Sequence, residues 1–397
     1  QDAFSVLLAN SRSPPRGSKS PPAKKRKLEA RESLTDKQKE LLKEKLTVPW
    51  DDFKKRSDFE KFYQDTMAPF LLNEAELLIA GERHVIREIE FYFTCDTHPD
   101  PFTHCQPLQE QNLIWYFHRT GSTYKSGTYK GMDIAIGRGK LAPGGILIRT
   151  IEQLSNNKVI CGPCLVVDHI LKLTGSATIN ILVENNMKDD ISVFGDKTNQ
   201  LSLYPTEESR DETIIHTGRV GLYMTKKSCK IEDQAEYVFR NYRSVAEPTK
   251  VSKGRHLMAL ALIHAGDSNQ SISKKTGIKD AVIKRYREAY TDGLKSGRTF
   301  DDFSVYAKRI NDNLAGVCFG SIIAIQTKDK TKEEKVEEEK EEEEDEEEEI
   351  TKDEEMKEAD KVENSDENEE IEFSEDERLV EVDACCMIGY IKNSISE

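Results

Sequence analysis

Residues 87–93, Arg-Glu-Ile-Glu-Phe-Tyr-Phe, alternate polar and apolar side chains. On a strand, successive side chains point to opposite faces, so Glu88, Glu90 and Tyr92 share one side while Ile89, Phe91 and Phe93 share the other. Downstream stand His98 and His104, a Gly/Tyr-rich stretch from His118 to Gly131, and Arg149 at the end of an otherwise apolar run. A carboxylate with a phenol, an imidazole and a buried arginine is what a water-activating hydrolase needs. The carboxylate takes a proton from water, the arginine fixes its orientation and charge, and the aromatic rings make a flat slot. The plain alternative is an edge strand whose polar face is merely wetted.

Two further sets of residues offer different chemistry. Cys161-Gly162-Pro163-Cys164 has the CxxC spacing of thioredoxin-like redox sites, without the preceding tryptophan or a surrounding βαβ pattern. Joined with Cys95, His98, His104 and Cys105, the same pair would make a zinc site of irregular second half.

The elements that must position these residues read as α+β. Short β-type runs at 84–93, 134–136, 145–149 and 191–194 alternate with turn signals, and helical segments fall around 57–66 and 163–173. The expected fold is a single mixed, curved and mostly antiparallel sheet with surrounding helices over 46–248, followed by a helical extension over 249–326. In that extension, helical periodicity dominates 254–295 and Thr276-Gly277-Ile278 interrupts it like the turn of a helix-turn-helix, with Lys284 and Arg285 on the second helix. Helices that pack on the core are the alternative reading.

Charge separates the termini from this middle. Residues 46–326 hold 36 basic and 35 acidic side chains, whereas the segment from Thr327 onward holds 10 and 32, so the net charge of −15 belongs to the acidic tail 327–397. Like charges at that density stay solvated, and disorder is expected there. Residues 1–45 form a basic arm, expected to be disordered apart from a short amphipathic helix over 33–46. Pro21-Pro22-Ala23-Lys24-Lys25-Arg26-Lys27 has the pattern of a nuclear localisation signal, which would engage a nuclear import receptor; Lys24, Lys25, Arg26 and Lys27 would equally contact phosphates. Phe4–Leu8 is an apolar island suited to docking in a partner groove. With no run of about 18 apolar residues and no signal peptide, the expectation is an intracellular, nuclear monomer with reduced thiols and no membrane contact.

The order of several motifs resembles the alkyladenine (3-methyladenine) DNA glycosylases. Glu88-Ile89-Glu90-Phe91-Tyr92 matches their Glu-x-Glu-x-Tyr strand, Gly131-Met132 their Gly-Met strand start, and Ile146-Leu147-Ile148-Arg149-Thr150-Ile151-Glu152 their Leu-Leu-Arg-Ala-Leu-Glu run. Cys161-Gly162-Pro163 is similar to their Gly-Pro helix start, and Arg219-Val220-Gly221-Leu222 and Phe239-Arg240-Asn241-Tyr242 resemble the two strands that close their domain. The matches run in order over roughly 50–245. The resemblance implies a monofunctional DNA glycosylase of base excision repair, acting on duplex DNA with a damaged, alkylated or deaminated base. Glu90 would be the general base, Arg149 would hold the attacking water and the carboxylate, and Tyr92 and His104 would line the base pocket. The reaction would be attack on C1′ of a flipped nucleotide through an oxocarbenium-like state, with neither metal nor organic cofactor.

Departures from the family pattern fall at three places. Lys130 stands where the family presents a wedging tyrosine, with Tyr129 one residue earlier; a lysine contacts phosphate more readily than it fills a base gap. Gly137 stands where the family places a pocket asparagine. The spacing from Tyr92 to His104 is long, so His98 competes with His104. These departures fit the rival reading, a glycosylase-like fold that binds nucleic acid or chromatin without cutting. The intact Glu90, Tyr92 and Arg149 fit the enzyme.

Overall fold

A computed structural model describes residues 34–195, 200–224, 230–299 and 314–328. The nuclear-localisation block Lys24–Lys27, the Phe4–Leu8 island and nearly all of the acidic tail lie outside the described residues.

The chain enters through helix α1 (Asp36–Leu46), begun by a capping box in which the Thr35 hydroxyl accepts from the Gln38 N–H and the Gln38 side chain from the Thr35 N–H. Its apolar stripe sends Leu42 and Leu46 into the core. A second helical run comes next: α2 (Arg56–Phe62) passes through a π turn at 63–67 into α3 (Ala68–Asn73). This covers the helix expected near 57–66 and extends it.

The sheet then builds in sequence. Its strands are β1 (Ala75–Ile79), β2 (Glu82–Cys95), β3 (His98–Pro99), β4 (Asn112–Phe117), β7 (Met132–Ile136), β8 (Gly144–Gln153), β9 (Lys158–Cys161), β10 (Leu201–Pro205), β11 (Ile214–Thr217) and β12 (Arg243–Ala246); β5 (Arg119–Thr120) and β6 (Thr123–Tyr124) pair separately. The central order is β10-β1-β2-β8-β7-β4, and β12 joins β2 beside β1 with β11 outside it. Every pairing among the described residues is antiparallel, so the mixed sheet expected from sequence is an antiparallel one. The run 191–194 forms one isolated bridge, Ile114 to Ser192, in place of a strand. There the Asp190 carboxylate accepts from the Ser192 N–H and the Ser192 hydroxyl from the Phe194 N–H, turn bonds that compete with a ladder.

One sheet face carries the main core: Ile86, Ile89, Phe91, Phe93, Trp115, Phe117, Ile134, Ile136, Ile146, Ile148 and Ile151, packed under α1–α3. Helix α4 (Pro163–Thr174) joins this core through Val166, Val167 and Ile170. It begins where the sequence placed it, with Pro163 at the first helical position. The short α5 (Ile179–Ile181) and α6 (Ile231–Val238) come later in the chain. A separate core forms under α7 (Arg255–His264), α8 (Asn269–Thr276), α9 (Asp280–Lys295) and α10 (Leu314–Lys328). No single helix among the described residues is long and apolar enough to cross a membrane.

Two facing irregularities shape the side of the sheet opposite the main core. Between β2 and β8 the register runs Ile86 to Ile151, Glu88 to Thr150, then Ile89 to Ile148. Arg87 and Arg149 are each the extra residue of a bulge, one on each strand. Ile86 and Ile89, three apart, therefore both reach the core, as do Ile148 and Ile151. The pairs between them, Arg87-Glu88 and Arg149-Thr150, both turn away from it.

Candidate active site

On the face opposite the main core, the two bulges concentrate buried charge. Glu90 is fully buried; its Oε2 accepts from the Tyr92 hydroxyl at 2.9 Å and from Arg149 Nη1 at 3.1 Å, and its Oε1 accepts from the Val220 N–H at 2.6 Å. A carboxylate offers about four lone-pair positions. Three are filled by described residues.

Glu88 lies beside it and serves a different purpose. Its Oε1 accepts from Arg149 Nε at 3.0 Å and Arg243 Nε at 2.8 Å, and its Oε2 from the Thr150 hydroxyl. Burial acts most strongly on this carboxyl and disfavours its charge, yet Arg243 and Arg149 with Thr150 outweigh it and hold the group below the usual carboxylate range. Burial likewise opposes the Arg149 charge, and Glu90 and Glu88 overcome it, so the guanidinium stays protonated. Burial and the adjoining Glu90 charge raise the Tyr92 phenol well above its ordinary value, which keeps it a hydrogen-bond donor.

Arg219, brought in by the turn after β11, closes the far side. It donates to Asp100 at 2.5 and 3.1 Å and to the Phe91 carbonyl at 3.0 Å, and its guanidinium lies 4.5 Å from the Tyr92 ring centroid. Arg243 reaches past Glu88 to the Gly254 and Lys253 carbonyls at 3.1 and 2.9 Å. The cluster thus holds three guanidiniums (Arg149, Arg219, Arg243) and three carboxylates (Glu88, Glu90, Asp100), nearly all of it out of solvent.

Cross-strand pairing carries this face further. Glu90 is opposite Leu147, and Leu147 is opposite Asp133, so Asp133 shares the face two strands away, about 10 Å along the hydrogen-bonding direction. The buried Asp133 accepts from His118 Nε2 at 2.8 Å and from the Gln109 amide at 3.2 Å. His104 packs edge-to-face on His118, ring centroids 4.9 Å apart. His104 is exposed and reaches the site through His118.

The structure therefore gathers Glu90, Tyr92 and Arg149 directly and places His104 at the outer end of the same face. His98 is taken into the core: Nδ1 donates to the Phe93 carbonyl at 2.8 Å, and Nε2 accepts from the Tyr242 hydroxyl at 2.6 Å. Tyr129 projects from the surface at 76% exposure, whereas the Lys130 ammonium is engaged by Asp168 on α4. Gly137 offers no open pocket position. A Cβ built there would lie 1.9 Å from the Gln109 carbonyl oxygen, so the backbone of the 107–110 turn occupies the space of the side chain.

Cys161 accepts from the Ser252 hydroxyl, Cys164 faces the Gly127 carbonyl and Asp168, and the cysteines among the described residues are free thiols. Among the described residues no group of three or more His, Cys, Asp or Glu is arranged to hold a metal ion.

Sequence reading missed Arg219, Asp100, Arg243 and the Val220 N–H as parts of the site. Most of them reach it by long-range closure, Val220 from 130 positions beyond Glu90 and Arg243 from 155 beyond Glu88. Arg219 and Arg243 carried one faint signal, since each belongs to or adjoins a segment resembling the closing strands of the glycosylases. The bulges had a clearer one: Ile86-Arg87-Glu88-Ile89 and Ile148-Arg149-Thr150-Ile151 both break period two in the same way.

No protein-family model matches the sequence. It is similar to an uncharacterized protein of Acanthamoeba polyphaga mimivirus, 34% identical over 179 residues that cover 42% of this chain and 81% of the viral protein.

Proposed function

The chain belongs to the family of that mimivirus protein, and from its buried carboxylate cluster we propose that it is a monofunctional DNA glycosylase that removes a damaged base. The observation that carries this reading is Glu90, buried yet held by Tyr92, Arg149 and the Val220 N–H with one acceptor position left on Oε1. A water bound there gives its proton to Glu90 as its oxygen bonds to C1′. The bond from C1′ to the base breaks, and the base leaves with the bonding electrons. Arg149 and Tyr92 fix the carboxylate, which lowers the cost of holding it in the attacking orientation. The near-balance of three guanidiniums and three carboxylates keeps a developing positive charge at C1′ from meeting net positive surroundings.

Base recognition falls to the outer part of the face. Tyr92 is half-buried with Arg219 against its ring, and the His104–His118–Asp133 group lies about two strand spacings beyond Glu90. In this reading the exposed Tyr129 would wedge into the space a flipped nucleotide leaves, and Lys130, engaged by Asp168, would brace that loop. The glycosylase-like fold, nuclear location, import-receptor contact and base excision repair role belong to this proposal.

One observation favours the rival, non-catalytic binder of nucleic acid or chromatin: position 137 is filled by backbone and cannot present a pocket side chain. Base release from duplexes carrying 3-methyladenine, hypoxanthine, ethenoadenine or uracil separates the two. Release that falls at least 10²-fold in Glu90→Gln, the scale of a lost general base, supports the enzyme. No release from any duplex, with binding retained, supports the binder.

A further inference from the structure

We propose that α7–α9 form a helix-turn-helix module that binds duplex DNA through the Lys279–Arg285 part of α9, a contact separate from the Glu90 site. Helix α8 ends at Thr276, Gly277 takes the left-handed conformation at φ +66°, and α9 begins at Asp280. Such a short connection containing glycine is the helix-turn-helix form, and the left-handed residue is why glycine stands there.

The helices are held together from inside. Ile272, Thr276, Ile278 and Ile283 are buried at their junction. Arg255 of α7 donates to the Thr276 carbonyl at 2.7 Å, and Arg287 of α9 donates to the Asn269 side chain at 2.9 Å and the Asp267 carbonyl at 2.5 Å. The buried side of α9, Ile283, Tyr286, Tyr290 and Gly293, is covered by the module and by α10, whose Gly320 meets the Tyr290 carbonyl.

What remains outward is positively charged beyond what packing requires. Residues 267–288 hold six basic side chains and three acidic, a local +3 within a 46–326 segment whose total is +1, and Lys275 is paired with Asp267. Lys274, Lys279, Lys284 and Arg285 are exposed, and none has an ion-pair partner among the described residues. Asp280 and Glu288 lie within one helical turn of Lys284 and Arg285 and do not pair with them, so these cations are not arranged as a neutral solvated face. The small Ala281 between them permits close approach. An exposed second helix with an unpaired basic N-terminal half is complementary to the phosphates flanking a major groove.

The module is tied to the carboxylate cluster at its first helix. Arg243 of the carboxylate cluster bonds to the Lys253 and Gly254 carbonyls at the start of α7.

The test uses the full chain and an undamaged 20-base-pair duplex, so it does not depend on base release. Fluorescence anisotropy across a sodium chloride series compares Lys279→Glu/Lys284→Glu/Arg285→Glu with a charge-matched control, Lys37→Glu/Lys54→Glu/Lys172→Glu. The α9 triple is expected to weaken binding at least 30-fold and to flatten the log–log salt slope by about 2–3, near 0.9 for each phosphate no longer neutralised. The control should change affinity less than threefold. Equal weakening by both triples would overturn the proposal, because net charge alone would then explain it. Unchanged binding by the α9 triple, or a loss confined to single-stranded RNA, would overturn it too. Should the glutamate triple fail to fold, Lys279→Ala/Lys284→Ala/Arg285→Ala gives the same reading through the salt slope.

Discussion

Replacing Arg149 by methionine removes one cation from the buried cluster while keeping an unbranched side chain of similar reach. The loss falls on two carboxylates. Glu88 keeps Arg243 and Thr150, but Glu90 is left with the Tyr92 hydroxyl and the Val220 N–H. Three carboxylates then face two guanidiniums in a site that solvent scarcely reaches. Breaking a buried pair by removing one partner costs about 3–5 kcal/mol. At roughly 2–4 °C per kcal/mol for a folded unit of this size, Tm should fall by about 6–20 °C at pH 7.5.

The pH dependence supplies the sharper reading. In the wild type the folded-state pKa of Glu88 is depressed, so its stabilising contribution is present above the unfolded value of about 4.3 and is lost as pH falls through the folded value. Arg149→Met removes one of the two charges that depress it. The difference in Tm between variant and wild type should therefore be largest near neutrality and shrink below about pH 4.5. Calorimetry at pH 7.5, 5.5 and 4 measures this, and a double-mutant cycle with Glu88→Gln gives the coupling. A loss under about 3 °C, or one that does not change with pH, would refute the ion-paired cluster.

Three further outcomes concern other parts of the molecule. Tyr129→Ala should leave Tm within about 1 °C, since an exposed side chain contributes little stability, yet lower kcat/KM on damaged duplex by roughly tenfold or more if the ring is the wedge; thermal melts and steady-state base release read the two limbs. Gly137→Asn should not restore a pocket side chain but destabilise the fold by about 1–3 kcal/mol or more, because its Cβ would overlap the Gln109 carbonyl; a urea midpoint equal to that of the wild type would contradict this. Stability should also fall as pH drops from about 6.5 toward 4. Burial lowers His98 and His169 to about 4, so the fold favours their neutral forms, and the contribution complete above the unfolded value near 6.5 is lost below it at about 1.4 kcal/mol per pH unit for each. A Tm flat between pH 7 and 5 would count against both burials.

How much of the fold and site was legible in the sequence depended on whether the information was local. The alternation of Glu88, Glu90 and Tyr92 against Ile89, Phe91 and Phe93 is a property of one strand, and the structure keeps it. The helix start at Pro163 and the Gly277 turn are local as well, each resting on one residue's backbone preference. Residues 191–194 pair only in part: Ile191 and Val193 share backbone bonds with Trp115, Leu113 and Leu203, while the Asp190 and Ser192 side chains take the Ser192 and Phe194 N–H groups and end the pairing at one bridge. His98 and His104 could not be told apart by spacing, because what separates them is Tyr242, 144 positions from His98 and donating to its ring.

The composition of the site lay between these cases. Strict alternation would have put Arg87 on one face with Ile89, and Arg149 on one face with Ile151. The extra residue in each strand removes that conflict: Ile86 and Ile89 both stay in the core, Ile148 and Ile151 do the same, and the two residues between each pair turn outward together. Glu88 can then meet Thr150 directly while Arg149, unpaired in the ladder, swings its guanidinium across both Glu88 and Glu90. A single bulge would shift the register of one strand against the other and break the Ile89–Ile148 pairing. Two facing bulges preserve the pairing beyond them. Four polar side chains therefore occupy a stretch where two would stand in a regular sheet, and the buried cluster is their consequence.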